Sequence, residues 1–174
     1  MTNETGSKPR KVKWRNLAVN VLLFVAVVAG IRAWQHRDMI SGSAPALQGA
    51  TLVGLPYVLP AHPAQPVLVH FWGTWCSICR AEQSSIVAIA HDHPNTITVA
   101  LKSGKPEEVA QFMSKQGIDF PVVNDPDGRI SSAWGVHAVP ASFIIAPDGT
   151  IRFAEVGYTS GPGLRLRLWL AGMI

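Results

Sequence analysis

The sequence predicts an α/β fold, a central mixed sheet flanked by helices, preceded by one amino-terminal helix that crosses a membrane. Three observations predict it. An uncharged run of 16 residues, Asn16 to Ile31, precedes everything else of note. From Leu47 onward, short β-branched and aromatic runs alternate with stretches of helical periodicity. A cysteine pair spaced by two residues, Cys76 and Cys79, stands where a buried strand gives way to a helix.

The 174 residues suit one domain of ordinary size plus an appendage. With 48% hydrophobic and 15% charged residues, disorder is excluded as the main state. Seven of the 15 basic residues lie in the first 37 positions, against one acid, Glu4. The excess of positive charge thus belongs to the tail, and no nucleic-acid partner is expected.

The first element is the membrane helix. Trp14 and Trp34 flank the run as interfacial rings do, and the 21 residues they bound can cross a hydrocarbon core of roughly 30 Å at ~1.5 Å per residue. Arg15 and Arg32 can extend toward the headgroups. Five basic residues precede the run and two follow closely, which keeps the amino end in the cytoplasm. A cleaved signal peptide would place small residues soon after the run, but Arg32, Trp34, Gln35, His36 and Arg37 stand there, so an uncleaved anchor is favoured. The expected organisation is a basic cytoplasmic tail over 1–13, an anchor over 14–34, a linker over 35–46 and a domain over 47–174. That domain would face the outer side of an inner membrane, the periplasm in a bacterium.

Within the domain, Thr51 to Leu59 is broken by Gly54 and Pro56 and allows only edge strands. Val67 to Trp72 reads as a central strand. Ser77 to His91 is helical, with Ile78, Glu82, Ile86, Ile89 and Ala90 on one face. Thr96 to Leu101 is a second buried strand, and the crossover makes it parallel to the first. A helix then opens at Pro106 with Glu107 and Glu108 near its positive end, turns Val109, Phe112 and Met113 inward, and stops at Gly117. Phe120 to Val123 is a short strand, and Asp125-Pro126-Asp127-Gly128 turns into a short helix. Ala141 to Ala146 and Thr150 to Gly157 form a hairpin around Asp148-Gly149. A final helix runs from Pro162 to Ala171, with Leu164, Leu168 and Ala171 on one side.

The chemistry centres on the cysteines. At the first turn of a helix, positions i and i+3 point to the same side, close enough for a disulfide. Cys76, at the amino end, meets unpaired backbone N–H groups and the helix dipole, which favour a thiolate and make it the nucleophile. Cys79, one turn inside, is the more shielded and resolves the mixed disulfide. Two rivals remain at this level: a pair of structural buried cysteines, and a pair of soft-metal ligands forming a copper-binding or chaperone module. Two thiols cannot build a four-thiolate zinc site, and Arg80 stands where haem attachment would need a histidine. His91 and His93 bracket a helix end and read as a solvated turn; no metal site is predicted.

Phe71-Trp72-Gly73-Thr74-Trp75-Cys76-Ser77-Ile78-Cys79-Arg80 resembles the active-site run of the thioredoxin superfamily, and Ala138 to Phe143 resembles that family's cis-proline loop. Cys79-Arg80-Ala81-Glu82, Asp125-Pro126-Asp127-Gly128 and Ala146-Pro147-Asp148-Gly149 are similar to the membrane-anchored TlpA/ResA/DsbE group of thiol–disulfide oxidoreductases. Within it the chain looks most like the suppressor-of-copper-sensitivity D proteins, over roughly residues 46–172.

The resemblance implies a thioredoxin-like fold and a periplasmic protein-disulfide oxidoreductase, working as a reductase. Pro140 would be the cis-proline opposite the cysteines, and Val139 would offer its backbone to a bound substrate strand. Trp75 would shield the pair and form part of the docking surface. Protein thiols and disulfides are the implied substrates, with electrons from a membrane donor of the DsbD/ScsB type and no dissolved cofactor. Preparation of apocytochrome c for haem is an alternative use of the same chemistry. Thioredoxin places a buried aspartate six residues before the first cysteine, where this sequence has His70, either a core histidine or a proton-transfer group. Glu82, one turn beyond Cys79, either serves as the buried proton acceptor or reaches solvent at the edge of its stripe.

Overall fold

A computed structural model describes residues 11–36 and 40–173. Residues 1–10 of the expected cytoplasmic tail lie outside the described residues, as do the side chains of Arg15, Arg32 and Trp34. The chain falls into two units, residues 1–37 and 38–174. The first holds α1 (Lys11–His36), a helix of 26 residues that spans the expected anchor and leaves Leu17, Leu22 and Phe24 exposed. Among the described residues no helix is long and apolar enough to cross a membrane.

The second unit carries the sheets. β1 (Gly42–Ser43), inside the stretch read as a linker, pairs antiparallel with Thr150 and Ile151. Two small residues carry no periodic pattern, and what recruits them is the open edge of the sheet, which they partly cover. β2 (Gln48–Ala50) and β3 (Pro56–Val58) form a separate two-stranded ribbon; only β3 lies within Thr51 to Leu59, where edge strands were expected, and β2 precedes it.

The main sheet has the order β1-β8-β7-β4-β5-β6, where β4 is Val67–Trp72, β5 Thr96–Leu101, β6 Val122–Asp125, β7 Ala141–Ile145 and β8 Thr150–Val156. β4, β5 and β6 run parallel; β7 is antiparallel to β4, and β8 to β7. The sheet is therefore mixed, as predicted. β6 starts two residues later than expected. Pro121 has no N–H to give, and its carbonyl instead accepts from Thr98 N–H at 2.9 Å, so the regular ladder opens at Val122.

Every residue of β4 is buried, because both faces of the sheet are covered. Val67, Val69 and Phe71 enter one core with Ile97, Val99, Trp134 and Phe143. Phe71, Trp134 and Phe143 pack edge-on or tilted there, with ring centroids 5.1 to 5.6 Å apart. Leu68 and Trp72 enter the opposite core, with Ile86 and Ile89 of α2 (Ser77–Asp92), Val109 and Met113 of α3 (Pro106–Gln116), and Leu164, Leu168 and Ala171 of α5 (Gly161–Ala171). Each Val, Leu, Ile or Met side chain among them, fully buried, contributes about 1.5–3 kcal/mol against exposure.

Local caps end the elements where the sequence indicates. Gly117 closes α3 in the left-handed conformation (φ 64°). Asp125 is buried and caps α4 (Arg129–Ala133), accepting from the backbone N–H groups of Ile130 and Ser131 and from the Ser131 hydroxyl. Asp148 accepts from the Thr150 N–H at 2.9 Å and fixes the β7–β8 hairpin.

Candidate active site

β4 ends at Trp72, and four residues, Gly73 to Cys76, lead into α2. Gly73 permits the sharp approach, since a Cβ there would lie 2.7 Å from the Trp75 ring. Thr74 N–H donates to Ser103 Oγ, and Ser103 in turn donates to the carbonyl of Leu101. Trp75 donates from Nε1 to the same carbonyl at 3.2 Å. The turn before α2 is thus tied to the end of β5.

Cys76 is the N-cap of α2, with extended backbone, and Cys79 N–H donates to its Sγ at 3.0 Å. The two sulfurs are bonded to each other, across a Cα separation of 5.3 Å. The expected difference in shielding is absent: Cys76 is 6% exposed and Cys79 5%. What separates them is position. Only Cys76 receives a helix-end N–H, and its Sγ lies 3.6 Å from the Val139 carbonyl oxygen. The Val139–Pro140 peptide bond is cis, at the entry to β7.

Trp75 and Ile78 are exposed, at 57% and 51%. The Trp75 ring thus lies at the surface beside the cysteine pair. For Ile78 the exposure corrects the inward placement, because the buried stripe of α2 runs through Cys79, Glu82, Ile86 and Ile89 in steps of three, four and three. Cys79 occupies the place the periodicity had offered to Ile78.

Glu82 lies beneath the surface, 1% exposed, and so does not reach solvent. Its Oε2 accepts from the backbone N–H of Thr159 at 2.9 Å. Its Oε1 has no hydrogen-bond partner and sits 3.5 Å from His70 Nε2. Burial pushes the carboxyl up from 4.5 to about 7, the Thr159 N–H opposing this in part. His70 is buried too, with Nδ1 2.9 Å from Ser142 Oγ, and burial pushes the imidazole down to about 3, which keeps it neutral. An acid titrating near neutrality thus sits one helical turn beyond Cys79.

Sequence reasoning reached Cys76, Cys79, Trp75, Glu82, Val139 and Pro140, and the fold brings the cysteines and the 139–140 loop together. Thr159 and Ser142 were missed. Thr159 contributes only a backbone N–H, which no sequence pattern displays. Ser142 is the cross-strand partner of His70, visible only once β4 and β7 are paired. His91 binds Asp119 at the surface and His93 lies 2.8 Å from the Pro66 carbonyl, so neither joins the site. Among the described residues no group of three or more His, Cys, Asp or Glu side chains could hold a metal.

Residues 40–154 match the model of the AhpC/TSA family. A Paracoccus denitrificans protein named thiol:disulfide interchange protein DsbE homolog is 37% identical over 153 residues, covering 79% of this chain and 84% of its own length. A thioredoxin-like protein of Haemophilus influenzae is 35% identical over 107 residues, covering 62% of this chain, and the match spans 64% of that protein. The crystal structure of a thioredoxin-family thiol:disulfide interchange protein from Chlorobium tepidum superposes with a TM-score of 0.65 at 24% identity, over 77% of this chain and 98% of that one. The fold is thioredoxin-like.

Proposed function

The chain belongs to the AhpC/TSA family, and on that premise we propose that it is a thiol–disulfide oxidoreductase whose Cys76–Cys79 pair exchanges disulfides with other proteins. The observation that carries this is a disulfide closed across the first turn of α2, with the outer sulfur at the N-cap. Relatives named as thiol:disulfide interchange proteins support the same chemistry.

In the reducing direction the reduced pair starts the cycle. The Cys76 thiolate, held by the Cys79 N–H and the helix dipole, attacks one sulfur of a substrate disulfide. That bond breaks, a Cys76–substrate disulfide forms, and the other substrate sulfur leaves as a thiolate that takes up a proton. Cys79 then gives its proton to the Glu82 carboxylate and attacks Cys76 Sγ. The mixed disulfide breaks, Cys76 and Cys79 are joined, and the second substrate thiolate receives the proton that Glu82 held. Two electrons pass from the cysteine pair to the substrate. Glu82, titrating near 7, suits both halves of this transfer. Val139 offers its carbonyl beside the reacting sulfur, and Trp75 and Ile78 give the substrate an apolar surface around it.

The direction proposed is reductase, in the periplasm and anchored by residues 14–34. The support for the anchor is the uncharged run Asn16 to Ile31 with its tryptophan and arginine flanks. A bacterial periplasm is kept oxidising, so the pair must be re-reduced, and a membrane donor of the DsbD/ScsB type is the proposed source. A place among copper-tolerance proteins is proposed from the sequence resemblance over residues 46–172.

The test is turnover of insulin disulfides by the full-length chain with a dithiol electron source. Turnover that disappears in Cys76→Ser is expected. Tight retention of Cu(I) by the reduced chain, without any turnover, would favour the metal-binding rival instead.

A further inference from the structure

His70 stands in the middle of a buried polar chain, between Ser142 and Glu82, of which the exchange chemistry above uses Glu82 alone. Its register partners across the sheet are Ser142 on β7 and Thr98 on β5, so the three side chains share the face covered by α2 and α5. One ring nitrogen, Nδ1, lies 2.9 Å from Ser142 Oγ; the other, Nε2, lies 3.5 Å from Glu82 Oε1. Glu82 Oε2 is already occupied by the Thr159 N–H, which can only donate. When Glu82 carries a proton, that proton therefore belongs on Oε1, the oxygen facing His70.

A neutral imidazole has one N–H and one acceptor nitrogen, and a hydroxyl can either donate or accept. Two arrangements follow. With Glu82 protonated, its O–H donates to Nε2 and the ring N–H at Nδ1 donates to Ser142 Oγ. With Glu82 ionised, the ring proton is on Nε2 and donates to Oε1, while the Ser142 hydroxyl turns to donate to Nδ1. The two arrangements differ by one proton, the one taken from Cys79 and returned to the leaving substrate thiolate; within the ring, the remaining proton changes nitrogen. We propose that His70 and Ser142 act as a tautomer switch giving Glu82 a matched partner in both of its protonation states, which makes them positioning residues for the thiol chemistry. This rests on the oxidoreductase reading and deepens it.

The other ionisable groups around the switch are few. α2 presents the Cys76–Cys79 pair and Arg80, the latter exposed and lining the small cavity that His70 and Cys79 also line. β8 presents Glu155, the register partner of Ser142, paired with Arg167 of α5 at 2.9 Å. β5 and β7 contribute no ionisable side chain to this face.

The experiment is a carbon-13 NMR titration of glutamate carboxyls in the oxidised full-length chain in detergent micelles, with Glu82→Gln assigning the resonance. An inflection near pH 7 is expected for the unaltered chain. His70→Phe puts carbon in place of the ring nitrogen that faces Oε1 at 3.5 Å, which costs the ionised acid more than the neutral one, so its inflection rises by about half a pH unit or more. Ser142→Ala leaves a buried N–H at Nδ1 without an acceptor when Glu82 is protonated, but only a ring lone pair without a donor when Glu82 is ionised; the orphaned N–H costs more, so its inflection falls. Shifts of opposite sign support the switch. Either variant titrating like the unaltered chain, or both shifting the same way, overturns it. If His70→Phe does not fold, Ser142→Ala decides alone: a fall supports, and no change or a rise overturns. Insulin turnover by the unaltered chain is read separately, so a chain that titrates as described but never turns over disulfides loses the function while keeping the switch.

Discussion

Replacing Glu82 by Gln should make the protein more stable at alkaline pH, and the gain can be worked out. The native carboxyl titrates at about 7, against 4.5 when unperturbed, because burial disfavours its charge. A raised native value means the folded chain holds this proton more tightly than the unfolded one. Its contribution to stability is therefore fully present below about 4.5 and is lost as pH rises through 7. At about 1.4 kcal/mol per unit, the whole loss is about 3 kcal/mol, and about 2 kcal/mol of it falls between about pH 5.5 and about pH 8.5. Gln keeps an oxygen for the Thr159 N–H and an amide to face His70, but has nothing to ionise. Urea unfolding of the oxidised chain, followed by tryptophan fluorescence across that window, should show unaltered protein weakening by about 2 kcal/mol and Glu82→Gln staying nearly flat. Parallel pH profiles for the two proteins, or an unaltered protein that strengthens with pH, would refute the assignment of a buried acid at this site.

Other changes should report on the rest of the site. Alkylation of the reduced chain at graded pH, with the modified residue identified by mass, should label Cys76 first, with an inflection below the ~8.5 of a free thiol; labelling of Cys79 first would contradict its helix-end activation. Gly73→Ala puts a methyl against the Trp75 ring, so the indole should lose its bond to Leu101 and its emission should shift to longer wavelength; an unchanged spectrum would mean the turn accommodates a side chain. Asp125→Ala leaves three donors at the start of α4 unpaired and should cost about 3 kcal/mol in urea unfolding, a loss under about 0.5 kcal/mol being incompatible with the cap.

Much of this was legible in the residues because α3 and α5 carry their own period, and α3 its own stop. The inward faces of α3 and α5 follow from Val109, Phe112, Met113, Leu164, Leu168 and Ala171, and Gly117 ends its helix as a left-handed residue must. The cysteines announce themselves by spacing, and the cis bond at Pro140 followed from the resemblance of Ala138 to Phe143. What sequence could not display were contacts that exist only after folding. Ser142 meets His70 across 72 positions, and the Thr159 N–H meets Glu82 across 77. The choice between Ile78 and Cys79 at the first turn of α2 depends on how the helix leaves β4, which periodicity alone leaves open. β1 escaped notice because Gly42 and Ser43 pair through backbone only.

The central proposal is that Cys76 captures a substrate sulfur and Cys79 releases it. Reduced full-length Cys79→Ala incubated with oxidised insulin, then resolved without reductant, tests this directly. A covalent adduct on Cys76 that dissolves on adding dithiol, and that Cys76→Ser cannot form, is the predicted result. No adduct from folded Cys79→Ala, or an equal adduct from Cys76→Ser, would contradict it.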